Sequence, residues 1–208
     1  MAVAIWLSAL LLYGLFRLWY DGFQKPLQAD EIERFMALVE ARQKEGYHVP
    51  DLAELRLFLE SDDGREFVMY NLLQFADSPA TDPETGESVS PRELLNKYLK
   101  PFMGTILRRA GHPVITGQII GGYIDEWGTP PNPGWQGAGL VRYRSRRDAM
   151  LASLANPQFF AMHKYKAAAI QQTYAIPASR QMGLYASPRL TVALVLALLA
   201  ALLHLAIV

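Results

Sequence analysis

One asparagine lies inside an otherwise apolar stretch, where its side chain could do chemistry. Asn71 belongs to FVMYNLLQF, residues 67–75, which has the aromatic and aliphatic composition of a buried strand. Side chains alternate along a strand, so its carboxamide shares a face with Met69 and Leu73. A carboxamide among such neighbours needs a hydrogen-bond partner. That partner is either a bound ligand or a group of a neighbouring strand or loop.

A histidine forms the second candidate. His163 follows Phe159 by four residues in NPQFFAMHKYK, residues 156–166, so the two share one side of a helix. A neutral imidazole there could bind haem iron or act as a base near neutral pH. It could equally cover exposed helix surface beside Lys164 and Lys166.

A cluster of arginines stands out in a chain whose formal net charge is +0. Four arginines lie within residues 142–147, and Arg142 and Arg144 alternate on one face of a predicted strand. They could bind an anionic ligand in a cavity. They could also pair with acidic residues such as Asp125 and Glu126, or meet lipid head groups.

Several classes of function find no support in these 208 residues. Twenty basic and twenty acidic side chains cancel, so no overall basic field indicates nucleic acid as a partner. The sequence has no metal-ligand spacing, nucleophile elbow or phosphate-binding glycine loop. No dedicated cofactor is predicted from the residues themselves.

Both ends of the sequence are apolar enough to cross a bilayer. Residues 2–16 carry no charge, and Arg17, Trp19 and Tyr20 follow where a snorkelling cation and an aromatic belt belong. We therefore predict a transmembrane helix over residues 1–20. A cleaved signal peptide is the alternative, but the segment lacks a basic beginning. Residues 190–208 also carry no charge, which predicts a second span over residues 188–208.

Two spans place both termini on one side of the membrane and the intervening domain on the other. The basic residues that flank the spans, Arg17, Lys25, Arg180 and Arg189, all lie toward that domain. The positive-inside rule therefore predicts a cytoplasmic domain. The lipid bilayer is the first expected partner.

The middle of the chain alternates between helical and extended patterns. Residues 29–46 predict an amphipathic helix that starts with a capping box of Asp30 and Glu33, and a shorter helix begins at Asp51. These helices form a predicted connector over residues 21–64. The remaining predicted elements are a strand at 66–75, a helix from Ser90 kinked at Pro101, strands at 114–124 and 137–145, a helix from Ser145 broken at Asn156-Pro157, and a strand at 173–179.

That order is strand, helix, strand, strand, helix, strand. It predicts an α+β class with a ferredoxin-like βαββαβ domain over residues 65–182, in which helices cover one face of an antiparallel sheet. The complete architecture is this domain plus one N-terminal and one C-terminal transmembrane helix.

The domain resembles the dimeric α/β-barrel superfamily, and within it the DUF1330-like members of unknown function. The resemblance rests on Asn71-Leu72-Leu73-Gln74-Phe75 in the first strand and on Asn156-Pro157-Gln158-Phe159 in the later helix. It covers roughly residues 65–180 and leaves out both spans and the connector helices. It implies a homodimer whose two sheets face each other around a cavity.

The same superfamily includes monooxygenases and haem-degrading enzymes. In the haem degraders a strand asparagine, an aromatic residue and a helix histidine act together. The resemblance implies Asn71 and His163 for the first and third of these roles. No aromatic residue of the chain falls in a matching motif, and the enzyme hypothesis takes Tyr70 or Trp127 for that role. Arg142 and Arg144 would then contact an anionic ligand, and haem would be the cofactor.

Two functions follow from these patterns. We expect a membrane-anchored binding or assembly module that forms a homodimer or joins other membrane subunits. The alternative is a monooxygenase-like or haem-handling enzyme that uses the cavity of the domain.

Overall fold

The computed structural model describes residues 1–181 and 187–207. The predicted domain end at residue 182 and the predicted span end at residue 208 therefore lie outside the described residues. In chain order the elements are α1 (Ala2–Asp21), α2 (Ala29–Lys44), α3 (Leu52–Glu60), β1 (Phe67–Phe75), β2 (Ala80–Thr81), β3 (Ser88–Val89), α4 (Pro91–Arg108), β4 (His112–Gln118), β5 (Gly137–Tyr143), α5 (Arg146–Ala152), α6 (Pro157–Ala169), β6 (Ile170–Ala178) and α7 (Pro188–Ile207).

The chain divides into two compact units. One contains residues 1–23 and 180–208, and the other contains residues 24–179. The helices α2 and α3, which the sequence places in a connector, belong to the same unit as the sheet.

The first unit is a pair of apolar helices. Each of α1 and α7 has 20 residues, and by length and composition each can cross a membrane. At one end of the pair the Asp21 carboxylate accepts hydrogen bonds from Arg17 and Arg189. The Arg189 guanidinium also lies 4.9 Å from the centre of the buried Tyr20 ring. These contacts fix the end of α1 beside the start of α7.

A four-stranded antiparallel sheet forms the centre of the second unit, with the strand order β4-β5-β1-β6. Tyr70 of β1 is opposite Leu140 of β5 and Ile176 of β6. A separate two-stranded hairpin of β2 and β3 lies between β1 and α4.

The two faces of the sheet have different surroundings. Phe67 and Leu73 of β1 pack with residues of α4, α5 and α6 in two buried clusters, so their side of the sheet is the helix face. Side chains alternate along a strand, so Tyr70 and Leu72 lie on the other side. We refer to that side as the open face, because Tyr70 is 48% exposed there.

Local signals set the ends of the helices on the helix face. Ser90 accepts a hydrogen bond from the Glu93 amide and Pro91 occupies the first turn, as predicted. Pro101 lies inside α4, which continues past it to Arg108, because its apolar side remains packed against the core. A cap at Asn156 starts α6, so the predicted break in this helical region is confirmed.

The helix α2 starts differently from the prediction. Gln28 is its N-cap, and the capping box joins Gln28 to Glu31 rather than Asp30 to Glu33. The physical reason is a long-range contact: Arg147 of α5 holds the Glu31 carboxylate through two hydrogen bonds of 2.8 Å.

The strands β4 and β6 also differ from their predicted bounds. The strand predicted at 114–124 is β4, which ends at Gln118, where its partner Gly137 is the first residue of β5. Within residues 1–181 and 187–207 no partner strand extends beyond that point, so the apolar residues that follow form a loop. The strand predicted at 173–179 is β6, which begins earlier, at Ile170, because β1 pairs with it as far as Phe75.

Candidate functional site

His163 lies among aromatic rings on α6. Its ring centre is 5.6 Å from that of Phe159, 6.4 Å from that of Tyr98 on α4 and 6.4 Å from that of His48. Burial, together with the charge of Lys166 and the nearby His48, lowers the pKa of His163 to about 4. The imidazole is therefore neutral near pH 7, as a ligand or a general base must be.

A lysine on the same helix shares this environment. The ammonium of Lys166 lies 5.8 Å from the centre of the Tyr98 ring, and burial lowers its pKa from the ordinary value. Burial also raises the pKa of Tyr98, so its phenol stays protonated. Sequence reasoning did not single out either residue, because both follow the ordinary helical pattern of a packed face.

Asn71 lies in the middle of β1, on the helix face with Met69 and Leu73. Its amide nitrogen donates to the Met69 carbonyl at 3.0 Å and to the Gly139 carbonyl of β5 at 3.3 Å. A neighbouring strand therefore supplies the partner that this carboxamide needs. Both amide hydrogens have acceptors within the sheet.

The two aromatic candidates lie elsewhere. Tyr70 is on the open face, across the sheet from Asn71, and is 48% exposed. Trp127 is 95% exposed in the loop between β4 and β5. The structure does not bring either ring together with His163 and Asn71 around one cavity.

Each of the two candidate arginines has an acidic partner. Arg142 is buried; it donates to the Glu66 carboxylate at 2.7 and 2.9 Å and to the Ala110 carbonyl at 2.5 Å. Arg144 binds both oxygens of Asp148, at 2.7 and 2.8 Å. The partners are thus Glu66 and Asp148, not the acidic residues of the 125–126 loop that the sequence suggested.

The other two arginines of the cluster attach the connector helices. Arg146 donates to the Phe58 carbonyl and to Ser61 at the end of α3. Arg147 binds Glu31 and also donates to the carbonyls of Lys25 and Pro26, at 3.0 and 3.1 Å. Arg142, Arg146 and Arg147 therefore each join segments that are far apart in sequence, whereas Arg144 pairs within its own turn.

Neighbours of His163 on α6, but not His163 itself, line a small hollow. The hollow of about 20 Å³ lies between α4 and α6, lined by residues that include Tyr98, Phe102 and Phe159. This is about the volume of one water molecule, whereas pockets for cofactor-sized ligands span several hundred Å³. This hollow is too small to hold a haem. Within residues 1–181 and 187–207, no group of three or more histidine, aspartate or glutamate side chains could hold a metal ion.

A larger cleft of about 380 Å³ lies at the end of β1. Seven of its ten lining residues are polar or charged. Sequence reasoning did not anticipate the cleft, because its walls come from four separate segments. The lining residues are Gln74, Phe75, Ala76, Asp77, Ser78, Ser90, Pro91, Arg92, Gln136 and Gln171. The Arg92 guanidinium lies 5.0 Å from the centre of the Phe75 ring at one side of this cleft.

Comparison with known proteins identifies a similar fold but no family. No family model and no curated protein matches the chain. A crystal structure of the RPA0582 protein of unknown function from Rhodopseudomonas palustris has a TM-score of 0.51 at 17% identity, covering 65% of this chain and 97% of that one. The methylated RPA0582 protein gives the same TM-score at 19% identity, with coverage of 65% and 96%. At these identities the likeness concerns the fold alone.

Proposed function

We propose that this protein is a membrane-anchored binding or assembly module of ferredoxin-like topology, with its domain in the cytoplasm and both chain ends on the opposite side. The ferredoxin-like assignment is supported by the strand order β4-β5-β1-β6 and by its antiparallel pairing. The membrane anchor is supported by the two 20-residue apolar helices.

The observation that carries the proposal is the apolar character of the open face. Four large side chains from three strands are about half exposed on this side: Tyr70 48%, Ile115 61%, Tyr174 55% and Ile176 54%. The strand register places all four on the same side of the sheet. A contiguous exposed apolar surface of this kind is typical of an interaction site.

The partner that fits this face is a second copy of the chain. The resemblance to the dimeric α/β-barrel superfamily implies a homodimer in which two sheets face each other. The same face on both copies would give an isologous interface around a two-fold axis. Other membrane subunits could use the same surface within a larger assembly, and the experiment below separates the two.

The test is the native mass of the full-length protein in mild detergent. Ile176→Lys puts a charge on the open face, directly opposite Tyr70, and should convert a dimer to a monomer. Leu107→Lys is the matched control, because Leu107 is 48% exposed on α4, away from the open face, and should leave the dimer intact. A monomeric wild type would overturn the pairing. If the wild type formed a large assembly with other polypeptides and Ile176→Lys left that assembly intact, the open face would have no role in assembly.

The enzymatic alternative keeps one supporting observation, the neutral imidazole of His163 among aromatic rings. Haem binding there would require α4 and α6 to separate. A haem titration of the full-length protein tests it: loss of binding in His163→Ala, with binding retained in His112→Ala, would favour the enzyme. Equal binding in both variants would remove His163 from the function.

A further inference from the structure

The loop between β4 and β5 exposes large apolar side chains almost completely to solvent. Ile120 is 98% exposed, Ile124 97% and Trp127 95%. Burying one such side chain is worth about 1.5–3 kcal/mol, so leaving three of them in water forgoes a substantial stabilisation. An exposed cluster of this kind marks a contact with another molecule.

Specific contacts attach this loop to the sheet. The Ile119 amide donates to the Gln136 carbonyl at 3.0 Å, which joins the two ends of the loop. The indole of Trp135 donates to the Tyr123 hydroxyl at 3.1 Å, and its ring centre lies 5.2 Å from that of Tyr174. Since Tyr174 is on the open face, the loop lies directly beside that face.

Gln74 provides a further attachment. Its amide nitrogen donates to the Pro133 carbonyl at 2.6 Å, and the strand register puts Gln74 on the open face as well. The loop is thus fastened through several contacts, while its three large apolar side chains have almost no contact with their own domain. This arrangement is typical of a surface that is held in place for a partner.

A bilayer surface fits this loop poorly. Asp125 and Glu126 stand between the apolar residues, and anionic lipid head groups repel carboxylates. The loop also lies at the end of the sheet opposite Ala178, where the chain leaves the domain. The register separates these ends by five residues of β1, from Val68 to Leu73, or roughly 17 Å.

The part of the chain that connects to α1 lies at the same end of the sheet as Ala178. Arg147 of α5 holds the Lys25 and Pro26 carbonyls, and α5 begins directly after β5 ends. The two ends of this unit, at residues 25–26 and at Ala178, therefore lie far from the loop. A protein surface next to the open face is the better match.

We propose that residues 119–127 of each copy pack on a second copy of this chain, where Ile120, Ile124 and Trp127 become buried. This inference rests on the proposed pairing of the open faces. In an isologous interface both copies use the same surface, so a loop beside the open face of one copy lies close to the other copy. The loop then extends the interface beyond the sheet residues and adds its largest anchor, an aromatic ring.

The chain has no cysteine, so one introduced thiol reports on one position. In the full-length protein in mild detergent, Ile124→Cys should react with a maleimide at least about fivefold more slowly in the dimer than in the Ile176→Lys background, because a desolvated interface excludes the reagent. Leu107→Cys is the control and should react at equal rates in both backgrounds. Ile120→Glu should independently weaken the dimer.

The outcomes distinguish the loop from the pairing itself. A dimer in which Ile124→Cys reacts as fast as in the Ile176→Lys background would overturn the role of the loop and leave the proposed function standing. A wild type that is monomeric would overturn both. Protection of the thiol only after reconstitution into phosphatidylcholine and phosphatidylglycerol vesicles would identify a lipid surface and overturn the inference.

Discussion

The pair of Arg147 and Glu31 makes the most quantitative prediction about this fold. Two hydrogen bonds of 2.8 Å join the guanidinium to both carboxylate oxygens, and the side chains are only 28% and 24% exposed. The Glu31 carboxylate also accepts from the Gln28 amide at 3.1 Å. Replacement of Glu31 by Gln keeps the shape of the side chain and removes its charge. The substitution therefore measures the ionic part of the interaction.

The expected magnitude follows from the pKa of Glu31. Its hydrogen bonds with Arg147 lower this pKa from 4.5 to about 2, even though burial acts in the opposite direction. A difference of this size corresponds to at most about 3 kcal/mol of stability at neutral pH. Solvent screening reduces the value, so we expect Glu31→Gln to lower the free energy of unfolding by about 1–2 kcal/mol.

The pH dependence has a definite sign. The folded-state pKa lies below the unfolded value, so the contribution is complete above about pH 5 and is lost as the pH falls toward 2. The difference between wild type and Glu31→Gln should therefore shrink over that range. Urea unfolding in mild detergent, followed by fluorescence, measures it at each pH.

A control lies one residue away. Asp30 pairs with Arg34 at 3.1 Å, but both side chains are about 70% exposed, so Asp30→Asn should cost less than about 0.5 kcal/mol. If Glu31→Gln were no more destabilising than Asp30→Asn at pH 7, the argument that Arg147 anchors α2 would be refuted. The same conclusion would follow if the Glu31→Gln difference did not change with pH.

Three further predictions concern the same unit. Gly64→Ala should cost about 3 kcal/mol, because φ is +74° and a Cβ would lie 2.4 Å from the Gln24 carbonyl oxygen. Gly86→Ala, at φ +73° with nothing within 4 Å, should cost only about 1 kcal/mol in the same unfolding assay, and equal costs would contradict the close approach. Leu94→Ala should lower the free energy of unfolding by about 3 kcal/mol in that assay, because Leu94 is 0% exposed. A loss below about 1 kcal/mol would be inconsistent with a buried position. The His163 ring should titrate near pH 4 by NMR rather than near 6.5. The folded state should lose stability as the pH falls below about 6.5, because the imidazole of the unfolded chain takes up a proton first. An NMR midpoint near 6.5 would show that the ring is solvated.

Local patterns in the sequence were reliable where neighbouring residues decide the structure. The cap at Ser90 with Pro91 set the start of α4, and the cap at Asp51 set the start of α3, because these side chains bond to amides two or three residues away. The alternation around Asn71 correctly placed Met69 and Leu73 on one face of β1. Such signals need no information from the rest of the chain.

The partners of the arginine cluster could not be predicted from local patterns in the sequence. The partner of Arg142 is Glu66, 76 residues away, and the partner of Arg147 is Glu31, 116 residues away. A cluster of arginines carries no signal that identifies such distant acids. The sequence therefore left open whether these arginines bind an anionic ligand or acidic side chains, and only the folded chain reveals the acidic partners.

The sequence by itself determined the two apolar helices, most helix starts and the order of strands and helices, because hydrophobic runs, caps and periodicity act over a few residues. Only the tertiary structure decided that Asn71 bonds to β5, that Tyr98 and His48 flank His163, and that β4 ends at Gln118. It also decided that Trp127 faces solvent. These outcomes depend on which distant segments meet, and a side chain gains its partner or its exposure only when the chain has folded.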